Sequence, residues 1–269
     1  MSGRASVFSV KAQTGFGTIS IACFFALYLP IVILVFFAFN GAGSQGTWGG
    51  FSLRWFQVAW QNQQIQDASW RSLQLAAIAA TLATLMATPA ALATTRTWAY
   101  RGLTFKFALL NLPLIVPEIV TAVALLAVFA RIKVWTGYTG IGYLIVAHTA
   151  FCIPFAYLPL RARLDGMDLS LETAATDLYA NPWNTFRYVT LPLLWPGIFA
   201  GFTLAFVISL DDVVITEFVK SGGQETLPTY MLGQLRRFVT PEINAAATGF
   251  LALSVLAVTA SYFISRKRK

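Results

Sequence analysis

Glu118, Asp211, Asp212 and Glu217 are carboxylates set inside or at the edge of long apolar runs, and His148 lies in another such run. A charge kept in hydrocarbon is costly, so acids in such places are candidate functional groups. The chemistry they suit is passage of a cation, because a carboxylate offsets the hydration an ammonium loses on leaving water. They serve structure equally well by pairing with a neighbouring helix, as His148 does when it bonds between helices. Adjacent aspartates on a helix point about 100° apart, so at most one of Asp211 and Asp212 faces a lumen squarely. Glu118 follows Pro117, which leaves two placements. It sits near the middle of a continuous span, or it opens a second helical segment whose N-terminal dipole favours a carboxylate. Asp211, Asp212, Glu118 and His148 are therefore the candidate residues of a polar route for an organic cation.

Other chemistries find no residues. Gly41, Gly43 and Gly46 fit G-x-G-x-x-G but follow a membrane-length helix and precede no βαβ unit. There is no G-x-x-x-x-G-K-[ST] loop for ATP, no H-E-x-x-H, and no nucleophile paired with a base. One histidine with Cys23 and Cys152, both inside apolar runs, makes no metal site and no disulfide framework. The chain is read as non-catalytic, without a cofactor or metal of its own.

The elements that must position these residues follow from composition. Of 269 residues, 57% are hydrophobic and 11% charged, with a mean hydropathy of +0.65. A soluble domain carries about 25% charged residues, so this is a polytopic membrane protein with room for one membrane domain over 1–269. Six spans of membrane length are expected, near 18–39, 70–95, 104–130, 141–160, 193–219 and 245–265. Only helices satisfy every backbone group in lipid, which makes the fold all-α. Trp70, Trp98, Trp135 and Trp195 fall at span ends, as interfacial aromatics do. The first span is too long for a signal-peptide core and has no convincing cleavage site, so it is read as an uncleaved helix. The net charge of +8 is spread over polar loops and tail, which points to membrane orientation and not to nucleic acid. Arg4, Lys11, Arg96, Arg101, Lys106, Arg161, Arg163, Arg187 and the terminal 266–269 outnumber Arg54, Arg71, Arg131, Lys133, Lys220, Arg236 and Arg237. That asymmetry puts both termini in the cytoplasm.

Between the fourth and fifth spans lies a polar stretch, Arg161 to Trp195. Leu171 to Tyr179 has few helix breakers, Asn181-Pro182 stops it, and a second short helix is expected from Trp183 toward Val189 before Leu191-Pro192 leads into the fifth span. Two short helices around a turn form a knob able to seat in a partner's cleft, or an ordinary solvated loop. A further short helix or re-entrant turn is expected at Leu227 to Val239, on the outer side.

The polar stretch resembles the cytoplasmic "EAA" coupling loop of ABC-importer permeases. Ala174, Ala175, Asp177, Leu178, Ala180 and Pro182 fall in its pattern, with Val189, Leu191 and Pro192 at its distal end. Thr173 stands at the Glu position with Glu172 one place early, and Tyr179 stands at the Gly position. Five further fragments, in order, resemble spermidine/putrescine ABC permeases of the PotC/PotI type. They are 39–56 (with Phe56 for a Tyr), 112–120, 147–155, 209–222 (with one extra residue before the glycine) and 241–248. This resemblance implies a type I ABC-importer permease fold with coupling loop 161–192, in the bacterial inner membrane. It implies transport of polyamines driven by ATP and Mg on a partner ATPase dimer. A second homologous permease and a periplasmic or tethered polyamine-binding protein complete the complex. It also implies that Glu172, Ala174, Ala175, Asp177, Tyr179, Pro182, Leu191 and Pro192 couple to the ATPase, and that 227–239 could shape the gate or meet the binding protein. The same architecture carrying an opine, an aminophosphonate or another amine stands as an alternative. So does an ion-coupled secondary transporter or channel using the acids as ion sites.

Overall fold

The computed structural model describes residues 15–43, 47–96, 102–236 and 240–266. Arg4, Lys11, Gly46, Trp98, Arg101, Arg237 and 267–269 lie outside them. Among the described residues, six helices are long and apolar enough to cross a membrane: Phe16–Ala38, Gln63–Thr95, Glu118–Thr136, Gly142–Asp165, Pro182–Asp211 and Pro241–Phe263. No named strand occurs among the described residues. The chain divides into two compact units. One takes the described residues up to Gln61 with those from 240 to 249; the other takes Asn62 to Arg236 with those from 250 onward.

In the first unit, α1 (Phe16–Ala38) is apolar all round, and only 6% of its span is buried. The loop after it is gathered on Asn40. The Asn40 side chain donates to the Thr47 carbonyl at 2.7 Å and accepts from the Gly49 and Ala42 amides. Trp55 closes the arrangement by donating its ring N–H to the Asn40 carbonyl at 2.7 Å. Trp55 opens into α2 (Arg54–Gln61).

The second unit is built on α3 (Gln63–Thr95), α7 (Gly142–Asp165) and α10 (Leu191–Asp211), which pack on one another. Apolar lipid gives no hydrophobic drive between helices, so close approach relies on small residues. The buried face of α3 is a stripe of alanines, Ala76, Ala79, Ala80, Ala83, Ala87 and Ala91. On α10, a Cβ at Gly201 would stand 2.6 Å from the Ala156 carbonyl of α7, so only glycine allows that crossing. Leu75, Leu144, Tyr157, Leu160 and Leu194 fill the space between.

Two expected spans are interrupted. In place of one helix over 104–130 there are α4 (Leu103–Leu110), α5 (Leu112–Ile115) and α6 (Glu118–Thr136). Pro117 lacks an amide proton and forces Val116 to be extended (ψ 131°), which ends α5 and lets Glu118 start α6. The fifth span does not continue to 219. It stops at Asp211, Asp212 is extended (ψ 130°), and α11 (Val214–Val219) begins anew. The remaining elements are α8 (Ser170–Asp177), α9 (Pro182–Thr185), a π-helical turn at Phe186–Thr190, α12 (Leu227–Leu235) and α13 (Pro241–Arg266). The fourth span runs on to Asp165, so Arg161 and Arg163 are helical and not part of a loop.

Candidate functional site

Both interruptions open onto one cavity of about 420 Å³. It is lined by Glu118 at the start of α6, Asp211 and Asp212 at the end of α10, Ile208 one turn earlier, and Phe151 and Phe155 on α7. Glu118 is half-buried and its carboxyl is in hydrogen-bonding contact with Asp212. Asp211 is exposed while Asp212 is buried. The rings of Phe151 and Phe155 lie one turn apart, with centroids 5.5 Å from each other. Carboxylates beside aromatic faces suit an organic cation, since a ring face attracts ammonium and shields methylene. The final carbonyls of α10 reinforce this, because a helix C-terminus carries partial negative charge.

Asp212 is committed elsewhere. Its carboxylate accepts from the amides of Ile215 and Thr216 at 3.2 and 2.9 Å and from the Thr216 hydroxyl at 2.8 Å. It thereby satisfies the orphan donors that begin α11, which is why the helix breaks where it does. His148 stands behind it, 3.4 Å from Asp212 Oδ2 and 1% exposed. The Thr216 hydroxyl gives its proton to Asp212, so it accepts from His148 Nε2 at 2.9 Å. Nδ1 on the other side of the ring shares a hydrogen bond with the Ser209 hydroxyl at 2.8 Å. The far end of α11 is pinned by Lys133, whose ammonium donates to Ser221 Oγ at 3.0 Å and to the Val219 carbonyl. Of the four residues expected on the route, Asp211 thus presents its carboxylate openly to the cavity, and Glu118 lines it with its carboxyl against Asp212. Asp212 lines it with its carboxylate already bonded, and His148 lies outside it.

The expected coupling residues fall on α8, α9 and the turn between them, except Leu191 and Pro192, which open α10. Asp168, outside the apolar spans, accepts the Ser170 amide at 2.9 Å. That bond holds its carboxyl below the usual carboxylate range, and it is lost as pH falls through the lowered value. Asn181 caps α9 through the Asn184 amide at 2.8 Å. The second helix does not stop before Leu191. Phe186–Thr190 widens into a π turn, with the Leu191 amide reaching back to the Phe186 carbonyl, and runs unbroken into α10. The wider turn makes room for Pro192, which has no amide to give and would crowd a regular helix. Leu191 is half-buried and Pro192 exposed, both at the root of α10 and not at the tip of the knob.

At that tip Ala174, Asp177 and Pro182 are exposed, and Leu178 and Tyr179 are 82% and 98% exposed. Leu178 and Tyr179 thus give the polar loop an apolar tip open to solvent. Tyr179 is the one non-glycine with positive φ (61°) among the described residues. The left-handed turn expected of a glycine is therefore present without the glycine. A side chain in that region is strained by about 1–2 kcal/mol, so Tyr179→Gly is expected to stabilise the loop by about 1 kcal/mol. Amide exchange over 174–182 would slow severalfold; unchanged or faster exchange would contradict this.

Glu172 does not point outward. It is bound by Arg96 at the end of α3 at 3.0 Å and by Thr190 of the π turn at 3.0 Å. Sequence reasoning treated Arg96 as an orienting charge only and gave no role to Thr190, Phe151 or Phe155. The i, i+4 spacing of the two phenylalanines on an acid-bearing neighbourhood was the available signal for the latter.

A second cavity of about 280 Å³ lies where α12 meets the start of α3, lined by Gln64, Asp67, Arg71, Glu225, Tyr230 and Gln234. It is cross-braced by Arg71, which donates to the Glu225 carbonyl at 2.7 Å, and α12 is held by the Leu227 amide on Ser72 Oγ at 2.8 Å. Leu227 to Leu235 is thus a packed short helix.

An all-helical chain with six membrane-length helices, interrupted at an acid-lined cavity and carrying a protruding two-helix loop, is a membrane permease of the type I ABC-importer fold. A family model described as "Binding-protein-dependent transport system inner membrane component" matches residues 104–268, and the chain belongs to that family. It is 36% identical over 242 residues to the spermidine/putrescine transport system permease protein PotC of Escherichia coli K12, covering 90% of each chain. It is likewise 36% identical over 247 residues to the putrescine transport system permease protein PotI of the same organism, covering 90% of this chain and 88% of that one. Its fold matches a solved bacterial ABC transporter involved in import of the acidic polysaccharide alginate, with TM-score 0.69 at 18% identity over 92% of both chains.

Proposed function

We propose that this chain is the membrane-spanning subunit of a bacterial ABC importer for polyamines, spermidine, putrescine or a related cationic amine. The observation that carries the substrate class is the cavity at the two helix breaks, where Glu118 and Asp211 face Phe151 and Phe155. The 36% identity to PotC and PotI supports it independently. An ammonium between the two carboxylates regains in Coulomb attraction part of what it loses in hydration. The aromatic pair shelters the methylene chain that joins one ammonium to the next.

In this reading the whole chain is one permease domain in the inner membrane, with both termini in the cytoplasm. The knob over α8 and α9 seats in an ATPase, which holds ATP and Mg; the permease itself does no covalent chemistry. A second homologous permease completes the pathway, and a periplasmic or tethered binding protein delivers the amine. ATP binds one arrangement of the ATPase pair more tightly, and the knobs convert that preference into a bias between inward- and outward-facing permeases. The charge asymmetry of the loops supports the orientation, and the exposed Leu178 and Tyr179 support the docking. Deleting the gene in its host should abolish uptake of labelled putrescine and spermidine at micromolar concentration, with recovery on restoring the gene. Undiminished uptake of both in a host with no other polyamine carrier would reject the substrate class.

A further inference from the structure

We propose that Arg96 and Glu172 form a clasp that makes the knob move as one piece with the three packed helices, so that both are positioning residues for coupling. The inference rests on the reading of the knob as the ATPase-docking element.

An eight-residue helix is too short to hold itself together in water, and α8 buries none of its own residues. The hydroxyls of Thr173 and Thr176 bond only within the loop, to the Leu169 and Thr173 carbonyls. Glu172 is different. Its Oε2 accepts from Arg96 Nε at 3.0 Å, and its Oε1 accepts from the same nitrogen at 3.2 Å and from Thr190 Oγ1 at 3.0 Å. Arg96 in turn donates from Nη1 to the Leu164 carbonyl at 3.1 Å. One carboxylate therefore gathers the end of α3, the last turn of α7, the knob helix and the turn that leads into α10. Those are the three helices whose packing forms the core of the unit.

The pair is sheltered, with side chains 18% and 19% exposed, and Leu164 and Thr190 are buried. Nη2 of Arg96 is buried with no acceptor among the described residues, so this arginine is held by its pairing and not by solvation. The one-place displacement of the acid from the motif position accounts for the geometry. Thr173 occupies the exposed position, and Glu172, about 100° round the helix, faces inward to Arg96. A push on the exposed tip is thereby delivered to α3, α7 and α10 together.

The test uses the complete complex in proteoliposomes: this permease, its partner permease, the ATPase and the binding protein as purified from the host. The readout is the stimulation of ATP hydrolysis by the binding protein, which does not depend on which solute is carried. Arg96→Glu and Glu172→Arg should each reduce that stimulation about tenfold while basal hydrolysis and assembly persist, and the swapped double variant should recover most of it. Stimulation unchanged in the single variants, or a swap no better than either, would overturn the clasp. Where reversal blocks assembly, Arg96→Gln and Glu172→Gln carry the same test, and normal stimulation in both overturns it. Ala174→Asp on the exposed tip separates the two readings. If it uncouples and the clasp variants do not, the clasp alone falls; if it leaves stimulation intact, the docking reading itself fails.

Discussion

Asp212→Ala is expected to destabilise the permease by about 3–5 kcal/mol, the range for removing one partner of a buried charged network. The carboxylate is the acceptor for two backbone amides and one hydroxyl, and it stands 3.4 Å from a fully buried imidazole. Alanine leaves those donors unpaired where no water replaces the bond, at about 1–3 kcal/mol for each buried group. The first turn of α11 would lose the cap that starts it, and the chain would tend to run on as a helix through 212. The check is the yield and thermal stability of the detergent-solubilised complex. A variant that purifies and melts like the parent would show that Asp212 is not the structural hub described here. Asp212→Asn, which keeps one acceptor oxygen, should fall between the two.

Glu118→Gln combined with Asp211→Asn should do the opposite, sparing assembly and removing transport. Asp211 is exposed, and glutamine at 118 keeps a donor for the Asp212 carboxylate that Glu118 contacts, so neither substitution strips the buried network. An ammonium about 4 Å from a carboxylate gains roughly 4 kcal/mol at an effective dielectric of 20. Discounting most of that for screening in an open cavity still leaves about a tenfold loss of uptake, which takes about 1.4 kcal/mol. Labelled putrescine uptake and basal ATP hydrolysis measured on the same preparation decide it. Uptake within twofold of the parent would remove both carboxylates from the route.

The contrast between these two predictions shows what could be read from residues alone. Six spans emerged from hydropathy because lipid demands long apolar helices, and the acids within them stood out for the same reason. Their division of labour did not. Asp211 and Asp212 are neighbours of identical chemistry, and only the fold turns one toward open space and the other onto Thr216 and His148. The helix break at Asp212 was hidden because an average over apolar residues is blind to a carboxylate that caps its own successor. The break at Pro117 was visible as an alternative, since proline restricts the residue before it whatever surrounds it. Glu172 looked like a slightly misplaced surface acid because its partner Arg96 is remote in sequence. Tyr179 illustrates a different point. The left-handed turn forms at Tyr179 without a glycine, just before the Asn181 cap of α9, so position carried more information than residue type.

This permease is expected to move a cationic amine when a binding protein and ATP act on its two sides. That expectation is tested most directly by accumulation of labelled putrescine and spermidine in proteoliposomes holding the complete complex, with ATP inside or outside and the binding protein present or absent. Accumulation that requires ATP on the ATPase side and binding protein on the other is the predicted result. Accumulation that persists without ATP and collapses with the proton gradient, or stimulated hydrolysis with neither amine moved, would contradict it.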